Sequence, residues 1–262
     1  MNRQFLIPLS IISISVAVLT SASSSALPPD AISVDLRPVV HVTGEVGKPY
    51  ILQFSESLDS TSWNVATNFL MPPGGFDFFV PKGLPTPQQF YRAIPGTVLA
   101  SSAADFSGVQ GSNNWFYGYY PSPFASTNFV EFDNFTGETW KTAGLNVWTE
   151  VRQIDQHPNG TTTGLGRLGI EQWAVRRWRS PVTQTINLSV FIRDRTTGNG
   201  NGVIAHVFLD GVEKGTYPID DGGQRWESLT LDVQAGSLLD FVVDPRDSND
   251  WCDSTEVRAV IY

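Results

Sequence analysis

The sequence predicts an all-β fold: a small β-sandwich followed by a larger jelly-roll β-sandwich. Three observations predict it. Helix signals are scarce beyond the N-terminal segment. Glycine (23 residues) and proline (17) punctuate short runs rich in Val, Ile, Thr, Tyr, Phe and Trp, the pattern of strands joined by frequent turns. Asp210-Gly211, set between Phe208-Leu209 and Val212-Glu213, is a two-residue hairpin signal.

Residues 1–26 read as a signal peptide. Arg3 supplies the positive start, residues 5–19 an apolar run interrupted by Pro8 and serines, and Ser24-Ser25-Ala26 a small-residue cleavage site. The run is short of the roughly 20 apolar residues that a membrane helix needs, so the expectation is an exported chain, secreted or at the cell surface, without membrane insertion. The one cysteine, Cys252, excludes an intrachain disulfide framework. A formal net charge of -9 argues against nucleic acid and anionic membranes as partners, because both are bound through basic surface.

Residues 32–95 hold several short strand patterns: 39–42, the alternating 50–55, 63–65, 76–80 and 89–94. Tyr50, Gln53, Ser55, Leu58 and Trp63, with Gln89-Phe90-Tyr91-Arg92 in the closing strand, resemble a fibronectin type III-like module of secreted bacterial proteins. The resemblance implies a spacer without a site of its own, with Trp63 at the centre of its core.

Pro95-Gly96-Thr97 and the small residues 100–104 mark a boundary, so 96–104 is expected to be a linker. From residue 105 to 262 a longer β pattern follows, with strands at 115–119, 128–132, 169–178, 185–193, 203–210, 226–233, 238–243 and 257–262. Eight or more strands without helices predict a jelly roll or two-sheet sandwich. Phe106, Gln110-Gly111, Trp115-Phe116-Tyr117, His157-Pro158, residues 174–178, 200–203, Asp210-Gly211, 240–244 and 250–255 resemble the β-sandwich accessory domains, carbohydrate-binding modules among them, of exported bacterial glycoside hydrolases and polysaccharide lyases. The resemblance implies an extracellular polysaccharide as partner.

Aromatic side chains are the candidate binding groups. A pyranose ring presents a face of C–H groups on which an indole can lie. Trp115, Tyr117 and Tyr119 share one strand face by period 2 and are expected in the core. Trp140 and Trp148 lie in irregular sequence, and Trp226 and Trp251 adjoin the loops 220–224 and 247–250. Loops carry binding residues because the scaffold beneath holds them, so these four tryptophans are the candidate ligand contacts. In the basic run 176–179, alternation sends Arg177 and Arg179 to one face. That pair could grip carboxylates bidentately, although packing or an ion pair with an acidic loop is the stronger expectation.

Asp244, Asp247, Asn249, Asp250 and Asp253 crowd ten residues and could offer the oxygen ligands that calcium takes. Asp194, Asn199 and Asn201 are a weaker second set. Turn chemistry explains both sets without a metal. Gly164 to Gly169 spells a dinucleotide-type glycine pattern, but lacks the preceding strand and following helix that such a motif needs. Asn134, Asn159 and Asn187 head glycosylation sequons, meaningful only in a eukaryotic secretory route. The three histidines are scattered, and no nucleophile motif appears. A non-catalytic polysaccharide-binding or adhesion protein is therefore expected, with no catalytic residues assigned. Two other classes stay open: a structural or protein-interaction component of the cell surface, and a lyase or hydrolase on a jelly-roll scaffold, which a cleft holding Tyr, Arg and a carboxylate together would favour.

Overall fold

The computed structural model describes residues 38–59, 62–81, 89–198 and 200–262. The expected signal peptide lies outside them, as does Asn199. In the N-terminal part the strands are β1 (Val39–Val42), β2 (Pro49–Ser55), β3 (Asn64–Leu70), β4 (Phe76–Phe79) and β5 (Phe90–Pro95). There follow β6 (Ala100–Ser101), β7 (Trp115–Pro121), β8 (Val130–Glu131), β9 (Asn134–Phe135), β10 (Thr139–Lys141), β11 (Glu150–Arg152) and β12 (Asp155–His157). The long strands close the chain: β13 (Gln172–Arg179), β14 (Gln184–Asp194), β15 (Val203–Leu209), β16 (Val212–Ile219), β17 (Gln224–Val233), β18 (Leu238–Asp244) and β19 (Thr255–Ile261).

Two large antiparallel sheets result. One runs β16-β15-β18-β13-β7-β8, the other β17-β14-β19-β12-β11-β10-β9 with β6 added beside β19. The fold is all-β, a jelly-roll type of sandwich, as the turn-rich pattern predicts. The alternation of the strands supplies its core. Trp115, Tyr117, Trp178 and Phe241 come from one sheet, and Leu188, Val190, Ile192, Val257 and Ala259 from the other. The hairpin predicted at Asp210-Gly211 joins β15 to β16, with φ of 50° and 78° at its two residues, the positive pair that a type I′ turn demands.

The small strands form separate sheets, β1-β4 and β3-β2-β5, over a cluster of Val40, Val42, Leu52, Phe69 and Met71. The pairing shows a small β unit; among the described residues it does not show a fibronectin type III topology. Trp63 is not at its centre. The ring is half-buried with the Arg92 guanidinium 4.2 Å above it, because it precedes β3 and stays outside the alternation that turns Phe69 inward. The expected linker is shorter than 96–104. Ala100 and Ser101 pair with Ile261 and Val260, since small side chains fit against the edge of a large sheet, and Ala100 is buried there.

The basic run is split by its strand. Arg176 points inward and is fully buried, its guanidinium donating to the carbonyls of Ser102 (2.7 Å), Gln153 (2.8 Å) and Arg152 (2.6 Å). Burial, without a paired carboxylate, pulls its pKa down to about 10. Arg177 faces out, into a second apolar layer of Tyr120, Val175, Phe208 and Val242.

Candidate functional site

Three loops, 142–149, 158–171 and 245–254, are tied together by a few buried polar groups. Asn159, buried between them, is the hub. Its Oδ1 accepts from the Trp148 amide at 2.8 Å, and its Nδ2 donates to the carbonyls of Leu168 (3.1 Å) and Ile170 (2.7 Å). Gly160 donates its amide to Asp250 Oδ2 at 2.9 Å, and Thr161 donates to the Ser248 carbonyl at 2.9 Å. A Cβ at Gly160 would meet the Ser248 carbonyl oxygen well inside contact distance, so glycine lets the two loops close.

On this frame sits a buried ion pair. Arg167 binds Asp250 through both terminal nitrogens, Nη2 to Oδ1 at 3.2 Å and Nη1 to Oδ2 closer still. Both residues are almost wholly out of solvent. The guanidinium lies 3.5 Å from the centroid of the Trp148 ring and 5.8 Å from that of Trp251, within the range of cation–π attraction. The two indoles meet edge to face, 5.4 Å apart at 89°. His157 packs edge-on against Trp148 at 5.4 Å, and burial pushes its pKa down. Trp251 is 38% exposed and Trp148 half-buried. The 158–171 loop also borders a cleft of about 500 Å³, lined by Tyr119, Leu145, Thr161, Ile170, Glu171 and Gln172 among others.

Two of the four candidate tryptophans thus come together, and two do not. Trp226 is 65% exposed on the outer face of β17, against Phe191 at 4.7 Å. Trp140 is a correction: expected in irregular sequence, it is 5% exposed in the core. Its Nε1 donates to the Ser107 carbonyl at 2.8 Å and its ring stacks on Tyr117, because Thr139–Lys141 is a strand whose middle residue faces in. Arg177 is also corrected. It is held by Asp240 (Nε to Oδ1 2.7 Å, Nη2 to Oδ2 2.9 Å) under the Phe129 ring at 4.0 Å, so its fork is used within the fold. Arg179 is exposed, 5.0 Å from the Phe116 ring.

Most of the acidic loop's side chains take separate partners. Asp244 faces His206 Nε2 at 3.5 Å, Asp250 serves Arg167, and Asn249 Oδ1 accepts from the Trp251 amide. Asp247 takes a left-handed φ of 58° at the surface. Among the described residues no three His, Cys, Asp or Glu side chains meet as a metal site would require; of the second set, Asp194 instead caps the amides of Thr196 and Gly222, and Asn201 Nδ2 donates to the Arg246 carbonyl at 2.8 Å. Asp253 is fully buried, and neither carboxyl oxygen has a hydrogen-bond partner. Burial first, then Asp194, Asp250, Asp244 and Asp221, push its pKa up to about 8.

A Tyr, an Arg and a carboxylate do meet, but inside the fold. Tyr120 Oη donates to Asp240 Oδ2 at 2.5 Å and accepts from Arg177 Nη2 at 3.2 Å. Tyr120 and Asp240 are buried beneath Phe124 and Phe129, and burial together with Asp240 drives the phenol's pKa up. Buried this way, the trio packs the layer outside β13 rather than lining a cleft. Arg167 was not among the expected site residues; its sequence signal was a lone cation in the glycine-rich loop 158–171, where Leu165 and Gly166 take left-handed φ of 62° and 73°.

No family model matches the chain and no curated protein sequence matches it. Among solved structures, one of CBM51-2 in complex with GlcNAc and INT domains from Clostridium perfringens ZmpB is 12% identical, with 85% of this chain and 40% of that one covered and a TM-score of 0.29. A family 35 carbohydrate-binding module from Clostridium thermocellum is 7% identical, with 56% and 89% covered and a TM-score of 0.25. A β-glucosidase from Kluyveromyces marxianus in complex with glucose is 8% identical, with 61% and 16% covered and a TM-score of 0.28. The chain spans 16% of the first such structure, a glucuronidase acting on decorated arabinogalactans, and 40% of the CBM51-2 chain. Likenesses this distant carry no argument about activity, and the site stands on its own geometry.

Proposed function

We propose that the protein binds an extracellular polysaccharide through the Trp148–Trp251 corner and acts by capture or adhesion. The observation that carries this reading is the pair of perpendicular indoles, 5.4 Å apart, mounted on a buried Arg167–Asp250 pair. A right-angled pair offers one flat wall and one edge to a sugar. Its C–H face lies on the exposed Trp251, where dispersion and exclusion of water favour it. The 158–171 loop, which carries Arg167, also borders the cleft, where Thr161 and Glu171 stand beside the apolar Leu145 and Ile170, the mixture found in ligand sites. The rings are pre-set by the ion pair below them, so little order has to be bought on binding. The leader read in residues 1–26 supports a place outside the cell. Among the described residues no helix is long and apolar enough to cross a membrane.

Titration calorimetry against a panel of neutral polysaccharides tests this reading. At least one glycan should bind, and Trp251→Ala should weaken it by about tenfold or more, equivalent to 1.4 kcal/mol. A wild-type protein silent to every glycan, or a Trp251→Ala variant that binds as well as wild type, refutes it.

A further inference from the structure

A different surface, the outer face of the eight-stranded sheet, runs against the charge of the chain. The whole chain carries a formal charge of -9, yet strand alternation and register bring Lys141, Arg152, Arg193 and Arg258 to this face, and Arg195 reaches it just past β14. The carboxylates they meet are already engaged. Glu150 pairs with Arg152 at 2.6 Å and Asp155 with Arg195 at 2.7 Å. Glu256, itself buried, is shared by Arg193 at 2.6 Å and Arg258 at 2.5 Å. One carboxylate between two guanidiniums leaves a net positive charge, and both arginines are about half exposed, at 43% and 51%. Each guanidinium has five N–H donors in a planar fork, so both keep donors for an incoming anion. Asp232, the remaining acid on this side of β17, lies six residues from Trp226, about 20 Å along the strand.

The aromatic groups stand in the same rows. Trp226 is opposite Phe191 on the neighbouring strand, and Phe191 is opposite Arg258 on the next. One rung further, Arg193 is opposite Glu256. With strands about 4.8 Å apart, Trp226, Phe191 and Arg258 span roughly 10 Å, the reach of two linked sugar rings. Trp226, 65% exposed, has the most exposed indole among the described residues.

We propose that this strip is a second binding surface, for a linear polysaccharide that carries carboxylates, a polyuronate. A uronate ring has a C–H face and a carboxylate on the same unit. The first suits Trp226 and Phe191, and the second suits the free edges of Arg258 and Arg193, where the fork matches a carboxylate bidentately. Nucleic acid fits less well. Its affinity comes from neutralising many phosphates, and the surplus of cation here is small against the field of an acidic chain. The inference shares the glycan-binding character of the reading above but none of its residues.

Calorimetry with oligouronates, at about 20 and about 200 mM salt, tests it. Wild type should bind, more weakly at the higher salt. Trp226→Ala and Arg258→Gln should each lose about tenfold or more. Arg258→Lys keeps the charge beside Glu256 and guards against a folding defect; it should also weaken binding, because the fork is lost. The inference is overturned by a wild type that ignores oligouronates, by Trp226 and Arg258 variants that bind like wild type, or by single-stranded DNA bound as tightly. A wild type that takes neutral glycans at the Trp251 corner but no uronate overturns this inference alone; the converse result overturns only the earlier reading.

Discussion

Trp148 and Trp251 stand at 89° to one another with the Arg167 guanidinium 3.5 Å from the centre of the first ring. The angle follows from what lies beneath. Asp250 fixes the guanidinium plane from one loop, and Trp251 is the next residue in that loop, so the second ring is placed by the same carboxylate that orients the cation under the first.

Removing one partner of that pair should be costly. Arg167→Met leaves Asp250 buried with an uncompensated charge, and such losses run to about 3–5 kcal/mol. Urea unfolding of the variant is expected to show a drop of this size. A change under 1 kcal/mol would mean that the pair contributes little to holding the loops.

Gly160→Ala probes the closure of the same loops from the backbone side. The added methyl has nowhere to go but into the Ser248 carbonyl, so residues 158–171 and 245–254 must part. The variant is expected to melt several degrees lower and to bind glycan more weakly, with the Trp251 fluorescence shifted to the red. Unchanged melting and emission would show that the loops yield without cost.

Two buried groups make stability fall as pH rises. The folded-state pKa of Asp253 is raised to about 8, by burial first and then by its neighbouring carboxylates, so folding holds a proton that the unfolded chain releases above about pH 4. His206 is also raised. Burial alone would lower it, but Asp244 and Glu213 outweigh that, with Nδ1 and Glu213 Oε1 2.7 Å apart. Its contribution is complete below its unfolded pKa of about 6.5 and is lost as pH rises through the folded value. Unfolding free energies are therefore expected to decline from pH 6 to 8, at up to about 1.4 kcal/mol per pH unit for each proton involved. Asp253→Asn, which keeps the shape of the neutral acid, should flatten the profile; a slope that persists unchanged in that variant contradicts the assignment.

Trp140 and Trp226 should separate packing from binding. Trp140→Ala opens the core and is expected to cost about 3–5 kcal/mol. Trp226→Ala removes an exposed ring and should leave stability within about 0.5 kcal/mol. Paired denaturation curves decide it, and similar losses in the two variants would contradict the placement of the rings.

Period-2 alternation made much of the larger sandwich legible in advance. It placed Trp115 and Tyr117 on one face of β7 and separated Arg176 from Arg177, while the Asp210-Gly211 dipeptide marked the turn. The outward Phe191 and Arg193 were available by the same logic, since Val190 and Ile192 between and before them are the core residues of β14. What alternation cannot supply is the partner. Trp140 was misplaced because a three-residue strand leaves too few positions to show a period, and Arg177 because Asp240 is 63 residues away in the chain.

The amino-acid sequence by itself determined the class of fold and the inward or outward sense of alternating strands such as β7 and β13, because side-chain direction in a strand is a local property of the backbone. Only the tertiary structure decided which indoles stay wet and which charges are spent on one another. Arg167 meets Asp250 across 83 residues and Tyr120 meets Asp240 across 120; such pairings depend on how sheets and loops assemble, and no local spacing encodes them.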